Sequence, residues 1–451
     1  MTNRVMVAGA GLSGLAAARL CIEKGREVFL YDSNENLDTE RVQEGFSREE
    51  WRKIFLKKGV LLSQDLEGIS LCVISPGIDL ETPFVGLLKA KGIPLWSEIE
   101  LAFSVAKGKL AAITGTNGKT TTTALTGEIL QAFFPSVFTV GNIGIPYTSI
   151  AAKTKEESVT VLEASSFQLE TIHDFHPRVC AILNITPDHL NRHHTMENYI
   201  RMKENIAKNQ GKEDVCVLNY EDGVLREFGE KHCPGQVVFF SSKRELQGGY
   251  FLLDEKIYFR QGEETREVLD TKKLQILGRH NHENVMAAAA IAHALCVPWD
   301  VIREACYGFQ AVPHRIEYVD TKDGVAYYND SKGTNPDASI QAVQAMPGAT
   351  YLIAGGYDKG SIYDQWVESF QGKVKGLVLL GQTGEAIAAC AKKHGLTSIS
   401  FARDMPEAVR LCAEMAKQGE YVLLSPACAS WGMFKNYEER GDIFKASVRA
   451  L

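Results

Sequence analysis

The sequence predicts an α/β protein of three domains, each a largely parallel sheet covered by helices. Three observations carry this. The chain has 451 residues, too many for one ordinary core. Short apolar strand-like runs alternate with helical stretches from one end to the other. Glycine-rich or polar loops follow those runs repeatedly, where open parallel sheets bind ligands. Such loops stand at Gly9–Gly14, Ser75–Gly77, Gly115–Thr121, Thr186–His189, Asn329–Asn335, Gly355–Gly360 and Ser425–Ser430.

The first domain is read as residues 1–97. Its strands are expected at Val5–Ala8, Val28–Tyr31 and Leu71–Ile74, with a helix at Leu15–Glu23. Gly9-Ala-Gly-Leu-Ser-Gly14 fits G-x-G-x-x-G between strand and helix, and Asp32 follows about 20 residues on, which makes this domain Rossmann-like. On this segment alone, an NAD-dependent dehydrogenase would lead.

The second domain, 98–311, carries a phosphate loop. A strand at Leu110–Thr114 and a helix at Thr120–Leu130 flank Gly115-Thr-Asn-Gly-Lys-Thr-Thr121. Glycines let backbone N–H groups turn towards phosphate oxygens, and the helix N-terminus adds favourable dipole charge. Lys119 can neutralise β- and γ-phosphates, and the Thr120 hydroxyl can reach Mg²⁺. The loop is shorter than G-x-x-x-x-G-K-[ST], whose first glycine falls on Ile113. Strands at Ser158–Leu162 and Val179–Ile185 end in Glu163 and in Thr186-Pro-Asp-His189. Glu163 and His189 are therefore candidates for a divalent cation. Lys203 falls on the helical stripe of Met196, Tyr199, Ile200, Ile206 and Ala207. A lysine there either snorkels to solvent or has a pKa depressed by burial near other cations. The third domain, 312–451, has strands near Val325–Tyr328, Tyr351–Ala354, Leu377–Leu380 and Tyr421–Leu424.

Composition narrows the class. The net charge of −7 argues against a broad nucleic-acid or membrane-surface patch. Ten scattered cysteines without C-x-x-C or zinc spacing read as reduced core thiols. No apolar run approaches the ~18 residues of a membrane span. The amino terminus enters a strand at once, so no signal peptide and a cytoplasmic location are expected.

Together the motifs resemble the Mur ligase family. The blocks are Gly115–Thr121, Gly141–Gly144, Leu162–Glu170, Asp188-His189, Gly278–Asn284, Pro313–Arg315, Asn329–Asn335 and Leu424–Ser430, in family order across all three domains. The resemblance is closest to the D-glutamate-adding branch. It implies a monomeric, ATP-dependent ligase joining D-glutamate to UDP-N-acetylmuramoyl-L-alanine through an acyl phosphate, with two Mg²⁺ ions.

In that picture Gly115, Thr116, Asn117, Gly118, Lys119, Thr120, Thr121, Asn281, Asn284, Arg315 and Asp330 take ATP. Gly11, Leu12, Ser13, Asp32, Gly77, Asn142 and His189 take the UDP-sugar. Thr120, Glu163, His189 and a carbamylated Lys203 hold metal, and Lys119, Glu163, His189, Lys203 and Lys332 serve catalysis. Lys332, Thr334, Lys359, Ser430, Trp431 and Tyr437 form the D-glutamate pocket. Arg315, Asp330 and Lys332 are expected to close onto the nucleotide. A P-loop ATPase acting as a switch is the other rival, and it predicts hydrolysis without sugar or amino acid.

Overall fold

The computed structural model describes residues 4–142 and 144–451. Ile143, inside the Gly141–Gly144 block, lies outside the described residues, as do residues 1–3. Among the described residues, the strands form three sheets.

The first sheet contains β1 (Arg4–Ala8), β2 (Glu27–Asp32), β3 (Ile54–Lys58), β4 (Ile69–Ile74) and β5 (Leu95–Ser97). The strands are parallel, in the order β3-β2-β1-β4-β5. Strand side chains alternate between faces, and β1 shows why the run is apolar from Val5 onward. Val5 and Val7 enter one core cluster, while Met6 and Ala8 enter another on the opposite face. The strand order reverses between β1 and β4, so the loops Gly9–Gly14 and Ser75–Gly77 meet at the switch point.

The second sheet contains β6 (Lys109–Thr114), β7 (Val137–Gly141), β8 (Val159–Glu163), β9 (Val179–Ile182), β10 (Val215–Asn219), β11 (Gln236–Ser241), β12 (Gly249–Leu253), β13 (Lys256–Gln261) and β14 (Glu264–Asp270). Its order is β14-β13-β12-β11-β10-β9-β6-β8-β7. β7, β8, β6 and β9 are parallel neighbours, which brings their carboxyl ends to one edge. The far side departs from the expected parallel sheet, because β12, β13 and β14 form an antiparallel ribbon. The β12–β13 turn has Asp254 and Glu255 at φ +48° and +60°. Two consecutive positive φ values match the twist of a tight hairpin. Asp-Glu is not the usual sequence for it, so the hairpin left no mark in the residue pattern.

The third sheet contains β15 (Glu317–Lys322), β16 (Val325–Asn329), β17 (Thr350–Ala354), β18 (Val374–Leu379), β19 (Ile399–Phe401) and β20 (Tyr421–Leu424), ordered β15-β16-β20-β17-β18-β19. Only β15 is antiparallel, joined to β16 through Asp323-Gly324 with both φ positive. Leu352 and Leu423 face one core cluster, and Ile353, Val422 and Leu424 face another. The loops after β16, β17 and β20 therefore share one edge.

The chain folds as two compact units. One runs through Asp270 and includes Glu283–Cys306; the other comprises Thr271–His282 and Tyr307–Leu451. The first unit holds the first two sheets, and a single apolar cluster joins them, running from Leu20 and Val73 through Ile99 and Tyr147 to Leu162, Ile182 and Leu218. Among the described residues, no helix is long and apolar enough to cross a membrane.

Candidate active site

Gly115 and Gly118 have φ +153° and +86°, and each also faces a close neighbour. A Cβ on Gly118 would lie 2.3 Å from Asn284 Oδ1, so neither the backbone nor the space admits a larger residue. Gly118 caps the helix Lys119–Gln131 and so sets the loop against a helix N-terminus. The segment after β9 holds the loop in place. Asn184 accepts from the Thr116 amide through its backbone oxygen (2.9 Å) and from the Asn117 amide through Oδ1 (2.8 Å). Its Nδ2 donates back to the Asn117 carbonyl at 3.1 Å. The Thr116 hydroxyl lies 3.0 Å from the Tyr199 hydroxyl and accepts from the Thr186 amide at 3.0 Å.

Lys119 folds back over the loop, its Nζ donating to the carbonyls of Gly115 and Thr116, both at 2.9 Å. Lys203 comes from the helix Met196–Glu204, as the helical stripe predicts, and it does not snorkel. It is 2% exposed, and its Nζ donates to the Gly115 carbonyl at 2.7 Å while lying over the Tyr199 ring. Burial, and then the charge of Lys119, hold its pKa well below that of an ordinary lysine, with Asp188 opposing.

Glu163 ends β8 and is buried; the Asn142 side chain donates to its Oε1 at 3.3 Å. His189 adopts a left-handed conformation (φ +53°), with Nε2 3.6 Å from Asp188 and its ring against Phe167. Thr120 and Thr121 open the phosphate-loop helix, and Asn284 accepts from the Thr122 hydroxyl at 3.3 Å. Buried Asn281 donates from its side chain to the Leu277 carbonyl at 2.7 Å.

In the first sheet, Gly11 caps the helix Leu12–Glu23, with Leu12 exposed and Ser13 partly so. Gly14 packs so tightly that a Cβ would lie 1.8 Å from the Gly9 carbonyl. Asp32 accepts from the amides of Ala10 (2.8 Å) and Asn34 (2.9 Å), so its carboxylate braces the glycine turn. Gly77 is exposed on the loop after β4. The Arg192 guanidinium donates to the Pro76 carbonyl beside it at 2.8 Å and to both oxygens of Glu170. This links the switch-point loop of the first sheet to the helical segment after β8.

Within the second unit, Thr334, Lys359, Ser430, Trp431 and Tyr437 line one cleft of ≈ 240 Å³, with Ala429, Asn436 and Glu438. The Lys359 ammonium sits 4.7 Å from the Trp431 ring centroid, and that of Lys332 4.9 Å from the Tyr437 ring. Asp330 is buried, accepts from the Ser425 hydroxyl at 2.7 Å, and has its pKa raised to about 7 by burial, against the charges of Arg315 and Arg440.

Several supporting residues escaped the sequence reading. Asn184 fell inside the strand expected at Val179–Ile185, which ends at Ile182, and Tyr199 read only as part of the apolar helical stripe. Arg440, 1% exposed, donates to the Ser331 hydroxyl and carbonyl and to the Cys428 carbonyl, fixing the loops after β16 and β20. Its signal was available, because it shares the i, i+4, i+8 buried stripe of Phe444 and Val448, the same anomaly that singled out Lys203.

Three family models match: the Mur ligase MurD-like N-terminal domain over residues 3–97, the Mur ligase middle domain over 113–292, and the Mur ligase glutamate ligase domain over 314–428. A UDP-N-acetylmuramoylalanine--D-glutamate ligase from Lachnoclostridium phytofermentans is 55% identical over 449 residues, covering 100% of this chain and 98% of that protein. One from Lachnospira eligens is 52% identical over 99% of this chain and 98% of that protein. Among solved structures, the UDP-N-acetylmuramate-alanine ligase of Thermotoga maritima superposes with TM-score 0.61 at 18% identity, covering 99% of both chains, and so shares the fold. With three matching domains in order and relatives alike over their whole length, the chain belongs to the Mur ligase family.

Proposed function

We propose that this chain ligates D-glutamate to the terminal carboxylate of UDP-N-acetylmuramoyl-L-alanine at the expense of ATP, in peptidoglycan precursor synthesis. The observation that carries the reading is full-length identity of up to 55% with proteins bearing that ligase name. The geometry supports it, with a phosphate loop in one unit and, in the other, a cleft whose cation, hydroxyls and aromatic rings suit a small dicarboxylate.

The γ-phosphoryl group passes to the sugar-peptide carboxylate, and the amine of D-glutamate then displaces phosphate from the acyl phosphate. In this reading the loop Gly115–Thr121 cradles the phosphates, and Lys119 and Lys332 absorb charge on the transferring oxygens. Asn281, Asn284, Arg315 and Asp330 complete the ATP site. Gly11, Leu12, Ser13, Asp32, Gly77, Asn142 and His189 position the UDP-sugar. Lys332, Thr334, Lys359, Ser430, Trp431 and Tyr437 hold D-glutamate.

The oxygen donors at the strand ends suit a hard cation, since Glu163 is a buried carboxylate and Thr120 stands at the helix start. Thr120, Glu163, His189 and Lys203 are the residues that would hold Mg²⁺, two ions in this reading, and the metal would supply charge neutralisation at the phosphoryl oxygens. Carbamylation of Lys203 needs the neutral amine as nucleophile for CO₂. Burial and Lys119 favour that form; Nζ would bond to the carbon of CO₂ and lose one N–H proton to solvent, leaving a carboxylate suited to metal. The chain is assigned to the cytoplasm as a monomer.

The dehydrogenase reading rests on the glycine turn and Asp32 alone, whereas the three Mur ligase domain matches extend over the rest of the chain. The test measures phosphate release with ATP, UDP-N-acetylmuramoyl-L-alanine and a panel of D- and L-amino acids. Release dependent on D-glutamate supports the ligase; equal release without sugar or amino acid establishes the ATPase switch instead.

A further inference from the structure

Away from the candidate active site, two packed helices of the third domain bring four metal-competent side chains together. Asp364 and Glu368 lie i, i+4 on the helix Asp364–Glu368. Cys390 lies on the helix Gly384–Lys393, and His394 follows at i+4 as its C-terminal cap. On a helix this spacing places two side chains on one face, the arrangement used by helical metal sites. The ligand atoms of Asp364, Cys390 and His394 all lie within 4.8 Å of one another. His394 Nε2 is 3.1 Å from Asp364 Oδ1, and His394 Nδ1 is 3.9 Å from Glu368 Oε1.

We propose that Asp364, Cys390 and His394 form a three-ligand site for a borderline divalent cation of the Zn²⁺ class, with water in the fourth position and Glu368 beside His394 Nδ1, where it orients the imidazole. The donor chemistry selects the metal. A thiolate, an imidazole and a carboxylate with one water suit Zn²⁺ or Co²⁺ in four-coordinate geometry, whereas Mg²⁺ and Ca²⁺ prefer oxygen alone. Binding releases the Cys390 thiol proton to solvent. The Lys393 ammonium now occupies Asp364 Oδ1 at 2.7 Å and must give way; its side chain is 71% exposed and free to turn into water. A bound ion would clamp the two helices together and add to the stability of the third domain.

The full-length protein, stripped with EDTA and dialysed, is titrated with Co²⁺ alone and followed by absorption. The expected result is a thiolate-to-cobalt charge-transfer band with tetrahedral d–d bands, saturating at one equivalent and displaced by Zn²⁺. A cation held at the phosphate loop by oxygen and nitrogen donors gives no thiolate band, so the two sites are distinguishable. Cys390→Ser and His394→Gln should each abolish the band, and Cys296→Ser, at an exposed cysteine elsewhere, should keep it. Lys393→Ala, which removes the competing ammonium without touching a donor, should tighten Co²⁺ binding severalfold. Melting curves in EDTA identify any variant that has lost its fold. No thiolate band in the parent protein, or a band that survives both Cys390→Ser and His394→Gln, overturns the proposal.

Discussion

The ammonium groups of Lys203 and Lys119 converge on one acceptor, the carbonyl of Gly115, at 2.7 and 2.9 Å. Two cations in a buried loop cannot both stay charged cheaply. Lys203, the more deeply buried, is the one driven towards the neutral amine.

If that amine is carbamylated, Lys203→Ala should lower turnover by about 10²–10³-fold, the range for losing one preorganised electrostatic group. Added acetate or formate should restore part of the phosphate release. Lys203→Arg keeps a donor for the Gly115 carbonyl but cannot form the carbamate, and it should stay inactive. A fully active Lys203→Arg enzyme would sink the carbamate assignment.

The cleft of the second unit predicts a split in the kinetics. Lys359→Ala removes a charge-assisted contact worth about 1.5–3 kcal/mol. KM for D-glutamate should therefore rise by about 10–100-fold, with KM for ATP nearly unchanged. Comparable changes in both constants would place Lys359 outside the amino-acid pocket.

Arg192 and Glu170 form a largely but not fully buried pair, with side chains 11% and 9% exposed and a closest contact of 2.6 Å. Arg192→Met leaves the carboxylate beside His193 Nδ1 at 3.5 Å but without its charge partner, and gives up the bond to Pro76, which should cost about 1–3 kcal/mol in urea denaturation. Glu170→Gln in the same chain should recover much of that loss. A double variant as unstable as Arg192→Met alone would mean that the damage lies in packing rather than in the stranded charge.

Glu98 is buried between Thr148 and Gln168, and burial raises its pKa from 4.5 to about 7. The folded state then binds the proton more tightly than the unfolded state. Stability from this group is greatest below pH 4.5 and declines as pH rises to about 7, by on the order of 3 kcal/mol. Glu98→Gln should flatten the stability–pH curve across that window. An unchanged slope would show that another group is responsible; buried Asp330, raised in the same direction to about 7, is the alternative to test by Asp330→Asn.

Much of this was legible in the residues because it is local. The runs ending in Thr114, Glu163 and Ile182 are apolar because both faces of their strands are covered, so the sequence marks the strands and the loops beyond them. The antiparallel ribbon β12–β14 was not legible, because Asp254-Glu255 carries no turn signature although its backbone takes two positive φ values. The anchoring role of Asn184 was hidden for a different reason. It depends on the register of β6 beside β9, a pairing between strands 60 or more residues apart.

By itself, the sequence marked the Gly115–Thr121 loop proposed to take phosphate and the strands that carry the candidate ligands, because strand alternation, glycine turns and helix starts are set by short-range sterics. It also marked Lys203 as misplaced on an apolar stripe. Only the tertiary structure decided that this lysine turns inward to Gly115 rather than out to water, since burial and the charge of Lys119 come from distant parts of the chain. The same holds for the cleft that gathers Thr334, Lys359, Ser430, Trp431 and Tyr437. A cavity is a property of packed elements, and residues about 100 positions apart share it only after the loops following β16, β17 and β20 reach one sheet edge.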